Sequence, residues 1–297
     1  MRKYKKIAAL SLFGAMVLGY NNCGQVQFSP AQSSNAAAGI GPTSCNPFGG
    51  VTTPGQGLLA KGIYYVEQSQ LPAGEDPDTV ISNSVLNFFT PNPLIGVNNI
   101  NIVLPYINFP AMYFSQGFSD GSGTAVTDSA GNVLTSYFGF SATSTFVPGS
   151  LPPGDYQIAS LTDDGSVLTI KGGQANGSDF VISNDGTHSM QMGCTTSLLH
   201  VTANSSYPLT FDYFQGPPIT IGLMLMYRPV PTGNTQDSLC GKGAQSDSYF
   251  FLDHDANNNP ITSIPQAPYN QLLADGWQPL EGSNYQLPAS AQTACPQ

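Results

Sequence analysis

Charged side chains are scarce in this chain. Only 9 % of its 297 residues are charged, with 8 basic and 18 acidic side chains and a formal net charge of −10, whereas roughly 25 % is usual in soluble proteins. This composition excludes a coiled coil, which needs dense Glu, Lys and Arg. It also excludes a basic nucleic-acid-binding protein, because neutralising phosphates requires clustered cations. We therefore expect no nucleic-acid partner.

Recognisable enzyme signatures are absent as well. The sequence has no G-x-S-x-G elbow, P-loop, G-x-G-x-x-G or H-E-x-x-H motif. Its cysteines do not form a C-x-x-C pair and its histidines are scattered, which argues against a zinc knuckle. A glycosidase needs only two well-placed carboxylates, so a glycoside hydrolase remains a third alternative without a motif to support it. The sequence predicts a protein that is not an enzyme.

What the chain has in abundance is glycine, proline and alternating apolar residues. It contains 32 Gly and 24 Pro, which helix interiors tolerate poorly. Apolar and polar residues alternate over 207–213 and over 219–228, and this period of two is typical of half-buried strands. Many short strands separated by turns predict an all-β chain, an antiparallel, jelly-roll-like β-sandwich with long loops. Residues 71–110 are interpreted as loop with short strands, one of them over 85–89.

The first residues resemble an export signal. Four basic residues near the start precede a short apolar run over 7–18, which is too short to span a bilayer and fits a secretory signal. Cys23 follows directly, as in bacterial lipoproteins, where such a cysteine is acylated. An ordinary cleaved signal and an uncleaved anchor stay open as alternatives. We predict a signal peptide over 1–22 and a membrane partner through lipidated Cys23, on the outer membrane or cell surface, with the periplasmic side also open.

The remaining cysteines are even in number. In an exported chain four cysteines suggest two disulfides, with three possible pairings. These candidates are Cys45, Cys194, Cys240 and Cys295. Composition divides the chain after Cys23 into a flexible tether over 23–57, the sandwich over 58–229 and an irregular C-terminal extension over 230–297, which the cysteines would pin to the body.

Five short segments carry a family resemblance. They are Pro152-Pro153-Gly154-Asp155-Tyr156, Thr162-Asp163-Asp164-Gly165-Ser166, Ser183-Asn184-Asp185-Gly186-Thr187-His188, Tyr207-Pro208-Leu209 and Asp212-Tyr213-Phe214-Gln215-Gly216. In their order and spacing they resemble the β-sandwich domain named after anthrax protective antigen. Bacterial glycosidases and toxins share that domain with fungal flocculins and GLEYA-type adhesins. The resemblance covers residues 154–228 well and 58–229 loosely.

The resemblance implies a carbohydrate-binding, adhesin-like role with a glycan or surface polysaccharide as partner. In the sugar-binding members an Asp-Asp pair joined by a cis peptide holds Ca²⁺, and sugar hydroxyls complete its shell. Carried over, Asp163 and Asp164 become metal ligands, with Gln215 at the position nearest to a liganding Asn. Asn184 and Asp185 join the aspartates as predicted ligand-binding residues. Carboxylate and amide oxygens are the ligands that Ca²⁺ prefers.

Plainer interpretations of the same residues stay open. Asp-Gly favours hairpin turns, so Asp163-Asp164-Gly165 and Asn184-Asp185-Gly186 could each be an ordinary turn. A structural or protein-interaction module of the cell surface, with no glycan ligand, is the alternative function. Residues 253–259 place oxygens like the start of an EF-hand loop but lack its glycine and its final glutamate, and we interpret them as a polar loop.

Overall fold

The computed structural model describes residues 43–48, 53–119, 123–218, 220–241, 266–291 and residue 295. The predicted signal peptide over 1–22, the lipidation site Cys23 and the EF-hand-like segment over 253–259 lie outside the described residues. Within the described parts of the chain, none of the helices is long and apolar enough to cross a membrane.

The fold consists of two packed β-sheets, which confirms the all-β sandwich. The first sheet contains β1 (Thr43–Cys45), β2 (Leu58–Val66), β3 (Ile95–Leu104), β5 (Phe138–Phe146), β7 (Ser166–Ile170), β8 (Phe180–Asn184), β11 (Tyr207–Gln215) and β14 (Tyr285–Gln286). The second sheet contains β4 (Asn108–Tyr113), β6 (Gly154–Asp163), β9 (Gln191–Cys194), β10 (Leu199–Val201), β12 (Thr220–Pro229) and β13 (Gln278–Pro279). The strand order in the first sheet is β1-β3-β2-β5-β11-β7-β8, with β14 beside β5. The order in the second sheet is β10-β6-β12-β13, with β4 beside β12 and β9 beside β6.

Strand pairing is antiparallel except at one edge of the first sheet. There β1 pairs with β3 in parallel, so this sheet is mixed. Because β1 lies within 23–57, the folded body begins before residue 58 and takes in part of the segment that was expected to be a tether. A three-residue strand carries too little alternation to be recognised in a sequence.

The main core lies between the two sheets. Phe140 and Phe211 project into it from the first sheet, and Ile158, Leu223 and Leu225 project from the second. All five are fully buried, as the alternating pattern requires of the inward face of each strand.

Strand β12 is buried on both faces, whereas alternation alone predicted a half-buried strand. Met224 and Met226 point away from the main core and join a second apolar cluster with Leu272 and Trp277. Leu272 lies in the helix α2 (Gln266–Ala274). The C-terminal extension therefore covers the outer face of the second sheet, and its strands β13 and β14 pair with β12 and β5.

Two disulfides fasten the extension to the body, as the even number of cysteines predicted. Cys45 is bonded to Cys295 across 250 residues, and Cys194 is bonded to Cys240 across 46 residues. Disulfides persist in oxidising compartments, so this pair indicates an exported protein.

The insertion between β2 and β3 covers the outer face of the first sheet. It contains the short helix α1 (Pro77–Ile81), capped by Asp76, whose Oδ1 accepts from the backbone N–H of Asp78 at 3.0 Å. Residues Val85–Phe89 form a 3-10 helix and not the predicted short strand. Phe88 of that turn lies directly over Gly139 of β5, where a Cβ would lie 3.0 Å from the ring. A larger residue at this position would force the Phe88 ring or the strand to shift by a few tenths of an ångström.

Candidate cation and ligand site at the sheet crossings

Three connections cross from one sheet to the other at the same end of the sandwich. They join β6 to β7, β8 to β9 and β11 to β12, and in each pair the two strands belong to different sheets. The Asp163-Asp164-Gly165 and Asn184-Asp185-Gly186 segments therefore lie in crossings, and the hairpin interpretation of both is wrong. A hairpin needs two neighbouring strands that pair with each other, and these strands do not.

Asp164 ties the three crossings together. Its side chain is buried, with the residue only 3 % exposed. Oδ1 accepts from the backbone N–H of His188 at 2.8 Å, in the second crossing, and Oδ2 accepts from the backbone N–H of Gly216 at 2.7 Å, in the third. One carboxylate thus binds backbone donors from both neighbouring segments, which fixes its orientation.

Asp163 lies beside it at the end of β6. The peptide bond between Asp163 and Asp164 is cis. Asp163 Oδ2 accepts from the Thr220 hydroxyl at 2.8 Å, at the start of β12. Its backbone carbonyl accepts from the hydroxyl of Tyr213. Burial, with Asp163 and Asp164 nearby, raises the pKa of Tyr213 well above its ordinary value, so this hydroxyl stays protonated and donates.

Gln215 is buried next to the pair but presents its amide nitrogen to it. Nε2 donates to Asp164 Oδ2 at 3.4 Å and to the Pro217 carbonyl at 3.0 Å. Oε1 lies 2.7 Å from the Tyr213 hydroxyl and is an alternative acceptor to the Asp163 carbonyl for its single proton. A glutamine side chain binds a hard cation such as Ca²⁺ through its amide oxygen. In this orientation Gln215 is a hydrogen-bonding neighbour of Asp164, and a ligand role would require the amide to turn over.

The site is electrostatically unfavourable for negative charge. Burial raises the pKa of Asp164 to about 7, the two backbone hydrogen bonds act in the opposite direction, and Asp78 raises it further. Burial together with the negative charges of Asp78, Asp76 and Asp164 also raises the pKa of Tyr137 to about 12. A nearby cation would favour the charged form of Asp164.

The other two predicted ligand-binding residues are occupied by structural contacts. Asn184 is only 2 % exposed, its Nδ2 donates to Thr162 at 3.0 Å, and its Oδ1 accepts from Gln191 at 3.0 Å. Asp185 accepts from the Val85 backbone N–H at 2.8 Å and from a serine hydroxyl of the insertion. Asn184 holds the second crossing and Asp185 fastens the insertion, and none of these side-chain hydrogen bonds goes to Asp163 or Asp164.

The insertion brings residues that the sequence did not assign to the site. The Thr187 hydroxyl donates to Asn83 Oδ1 at 3.1 Å and lies 3.5 Å from Asp78 Oδ1. Asp78 thereby lies near enough to Asp164 to raise its pKa. The only signal in the sequence was the Asp-Pro-Asp run, typical of a capped helix start, which says nothing about the distant crossings.

The donor set fits a hard cation in part. Two adjacent carboxylates in a desolvated position supply the charge and the oxygen chemistry that Ca²⁺ prefers. Gln215 as oriented does not add an oxygen. Among the described residues no group of three or more His, Cys, Asp and Glu side chains is arranged to hold a metal. Further ligands would have to be carbonyl, hydroxyl or water oxygens.

Several solved structures have a similar fold. A PA14 domain of the MpAFP antifreeze protein has a TM-score of 0.38 at 17 % identity, over 65 % of this chain and 93 % of that domain. An epithelial adhesin 6 A domain from Candida glabrata, solved with Galb1-3GlcNAc, has a TM-score of 0.36 at 17 % identity, over 74 % and 96 %. A PA14 sugar-binding domain from an RTX adhesin has a TM-score of 0.32 at 19 % identity, over 59 % and 90 %.

An anti-sigma factor domain-containing protein has a TM-score of 0.34 at 14 % identity, over 69 % of this chain, which spans only 50 % of that protein. No family model and no curated protein matches the chain.

Proposed function

We propose that this chain is a non-enzymatic carbohydrate-binding module of the cell envelope, in which Asp163 and Asp164 hold a Ca²⁺ ion. The observation that carries the proposal is the burial of Asp164 beside a second carboxylate, at an end of the sandwich where three crossings meet. Within the described residues Asp164 forms no ion pair with a lysine or arginine. Buried charges normally require a partner.

The chain's own residues hold the carboxylates in place for this role. Backbone N–H groups of His188 and Gly216 fix Asp164, and the Thr220 hydroxyl fixes Asp163. When bound, Ca²⁺ supplies positive charge and further coordination positions that hydroxyl oxygens can fill. Prior fixation of the carboxylates lowers the ordering cost of binding.

One observation favours the alternative, a structural or protein-interaction module without a glycan. Both oxygens of Asp164 already accept backbone hydrogen bonds. Its protonated form keeps acceptor capacity, so Asp164 can hold the crossings together without an ion. Under this alternative the Asp pair stabilises the fold and binds nothing.

Calorimetric titration of the full chain with CaCl₂ distinguishes the calcium-binding proposal from the structural alternative. We expect the wild type to bind Ca²⁺ and the Asp163→Asn/Asp164→Asn variant to lose binding by at least about tenfold, since two ionised ligands become neutral. Asp179→Asn is the matched control, because Asp179 is an exposed carboxylate at the opposite end of the sandwich that forms a surface ion pair with Lys171. It should leave binding unchanged.

Glycan-array binding with Ca²⁺ and with EDTA completes the test. The proposal expects glycan binding that EDTA and the double variant both abolish. Heat release that is equal in the wild type and the double variant would assign the Asp pair a structural role. Glycan binding that survives EDTA and both substitutions would contradict calcium dependence and leave an adhesive role carried elsewhere.

Membrane attachment is a separate part of the proposal and depends on Cys23. Acylation of Cys23 would anchor the folded body through the segment that precedes β1. We expect Cys23→Ser to abolish metabolic labelling with a fatty acid and to release the protein from the membrane fraction. Cys45→Ser is unsuitable as a control because Cys45 is in a disulfide, so Ser44→Ala serves instead. A Cys23→Ser protein that stays with membranes would refute the lipid anchor.

A further inference from the structure

A polar cleft lies at the end of the sandwich opposite the sheet crossings. Strand β6 runs from Gly154 to Asp163, so Asp155 and Asp163 are about 26 Å apart at roughly 3.3 Å per residue. The cleft has a volume of about 430 Å³ and its polar lining residues are Asp155, Gln174, Asn176, Thr196, Ser197 and Asn234. This volume falls in the range of small-molecule sites.

Two lining side chains leave an acceptor oxygen available. Asp155 uses Oδ1 to accept from His200 at 2.7 Å, and the described residues give its Oδ2 no donor. Gln174 uses its amide nitrogen to donate to the Asp179 carbonyl at 2.7 Å, and its Oε1 likewise has no donor within the described part of the chain. In each side chain the hydrogen bond of the second polar atom, Oδ1 of Asp155 or Nε2 of Gln174, holds the available oxygen in position.

Two further side chains leave an amide N–H₂ available. Asn176 Oδ1 accepts from the Ser178 backbone N–H at 2.9 Å, and Asn234 Oδ1 accepts from Gln157 Nε2 at 3.0 Å. The described residues offer no acceptor to either Nδ2. Gln157 is itself buried and accepts from Arg228 at 2.8 Å, so the exposed Asn234 is held by a side chain that is fixed in the interior.

The remaining polar lining consists of hydroxyl groups. Thr196 and Ser197 place side-chain oxygens at the cleft, and each can donate or accept. Among the described lining residues only Ala175 and Leu198 are apolar, so an apolar ligand would gain little area. The same described residues include a single carboxylate and no lysine or arginine, which disfavours an anion and leaves a metal ion with little compensating charge.

We infer that this cleft binds a neutral saccharide by direct hydrogen bonds to its hydroxyl groups, without a metal ion. Its lining combines fixed acceptors, fixed donors and adaptable hydroxyls, and sugar hydroxyls both donate and accept. In each of these amides and in the carboxylate, the second polar atom is already hydrogen-bonded within the protein, so little side-chain freedom is lost on binding. This site goes beyond the calcium-dependent site at the crossings and does not rest on it.

NMR of the ¹⁵N-labelled full chain in EDTA tests the inference, with lactose, cellobiose, maltose and chitobiose as probes. We expect at least one disaccharide to shift the backbone amides of residues 174–176 and 196–198. Ala175→Trp, which fills the cleft from an exposed position, should abolish the shifts. Asn176→Asp keeps the oxygen that accepts from Ser178 and replaces the free donor by an acceptor. It should weaken binding about tenfold, because a sugar hydroxyl then faces an acceptor in place of its donor.

Matched variants separate this site from the one at the crossings. Asn204→Asp makes the same charge change at an exposed residue outside the cleft and should leave the affinity unchanged, as should Asp164→Asn. If no disaccharide shifts these amides, or if Ala175→Trp and Asn176→Asp bind as the wild type does, the inference is wrong. Shifts produced by methylammonium in place of the disaccharides would make the cleft a cation site and also overturn it.

Discussion

Asp237→Ala is expected to lower the free energy of unfolding by about 3–5 kcal/mol, because it breaks a buried ion pair and leaves one charge uncompensated. Asp237 Oδ2 accepts from Arg228 Nη1 at 3.0 Å and from the Trp277 indole N–H at 2.9 Å. The side chains of Arg228 and Asp237 are 8 % and 4 % exposed. The guanidinium also lies 4.6 Å from the centre of the Trp277 ring, so the loss would loosen the C-terminal extension from the second sheet.

Denaturant unfolding followed by tryptophan fluorescence measures this effect at the site itself, since Trp277 is the only tryptophan. Lys171→Ala is the control, because it breaks an exposed ion pair and surface pairs contribute little. Its unfolding midpoint should match the wild type. Asp237→Asn keeps an acceptor and should fall between the two. An Asp237→Ala protein that unfolds at the wild-type denaturant concentration would show that the pair does not hold the extension.

In EDTA the stability of the wild type is expected to fall as the pH rises through the range between the two pKa values of Asp164. The pKa of this carboxyl is about 7 in the folded chain against an ordinary value of 3.8. The folded state therefore binds the proton more tightly than the unfolded state. Protonation of Asp164 therefore contributes fully to the free energy of unfolding below pH 3.8, and this contribution is lost as the pH rises through about 7. The loss amounts to about 4 kcal/mol.

Asp164→Asn removes the titrating group and should flatten this part of the stability profile. The groups around Asp164 are the backbone N–H groups of His188 and Gly216, the side-chain amide of Gln215, and Asp78 from the insertion, whose negative charge adds to the effect. Urea unfolding at a series of pH values measures the slope, with Asp179→Asn as the control that should keep it. Equal slopes for the wild type and Asp164→Asn would mean that Asp164 is not the group responsible.

Local patterns were sufficient to predict most of the sandwich. The strands β11 and β12 were visible because each alternates over a long stretch, and β6 was visible between two turn segments. Val85–Phe89 was misassigned because a short apolar run has no clear period, and its packing against the sheet as a 3-10 turn depends on tertiary contacts. The burial of Met224 and Met226 depends on the extension, which lies far along the chain.

The sequence was sufficient to predict the two aspartates of the candidate site, but not the residues that surround them in the folded chain. The motif resemblance located Asp163 and Asp164, but local Asp-Gly turn chemistry could not show that the two flanking strands enter different sheets. That outcome depends on strand pairing over long sequence distances. The contribution of Asp78 and the orientation of Gln215 toward Asp164 depend on the same tertiary contacts.

The bond between Cys45 and Cys295 determines how the molecule would respond to mechanical load. A pull on the chain ahead of Thr43 reaches β1, whose ladder with β3 is only three residues long. The covalent link carries the same pull into the C-terminal extension, whose strands β13 and β14 are paired with different sheets. Tension applied at one end of the polypeptide is therefore divided between both layers, and the short edge strand does not bear it alone.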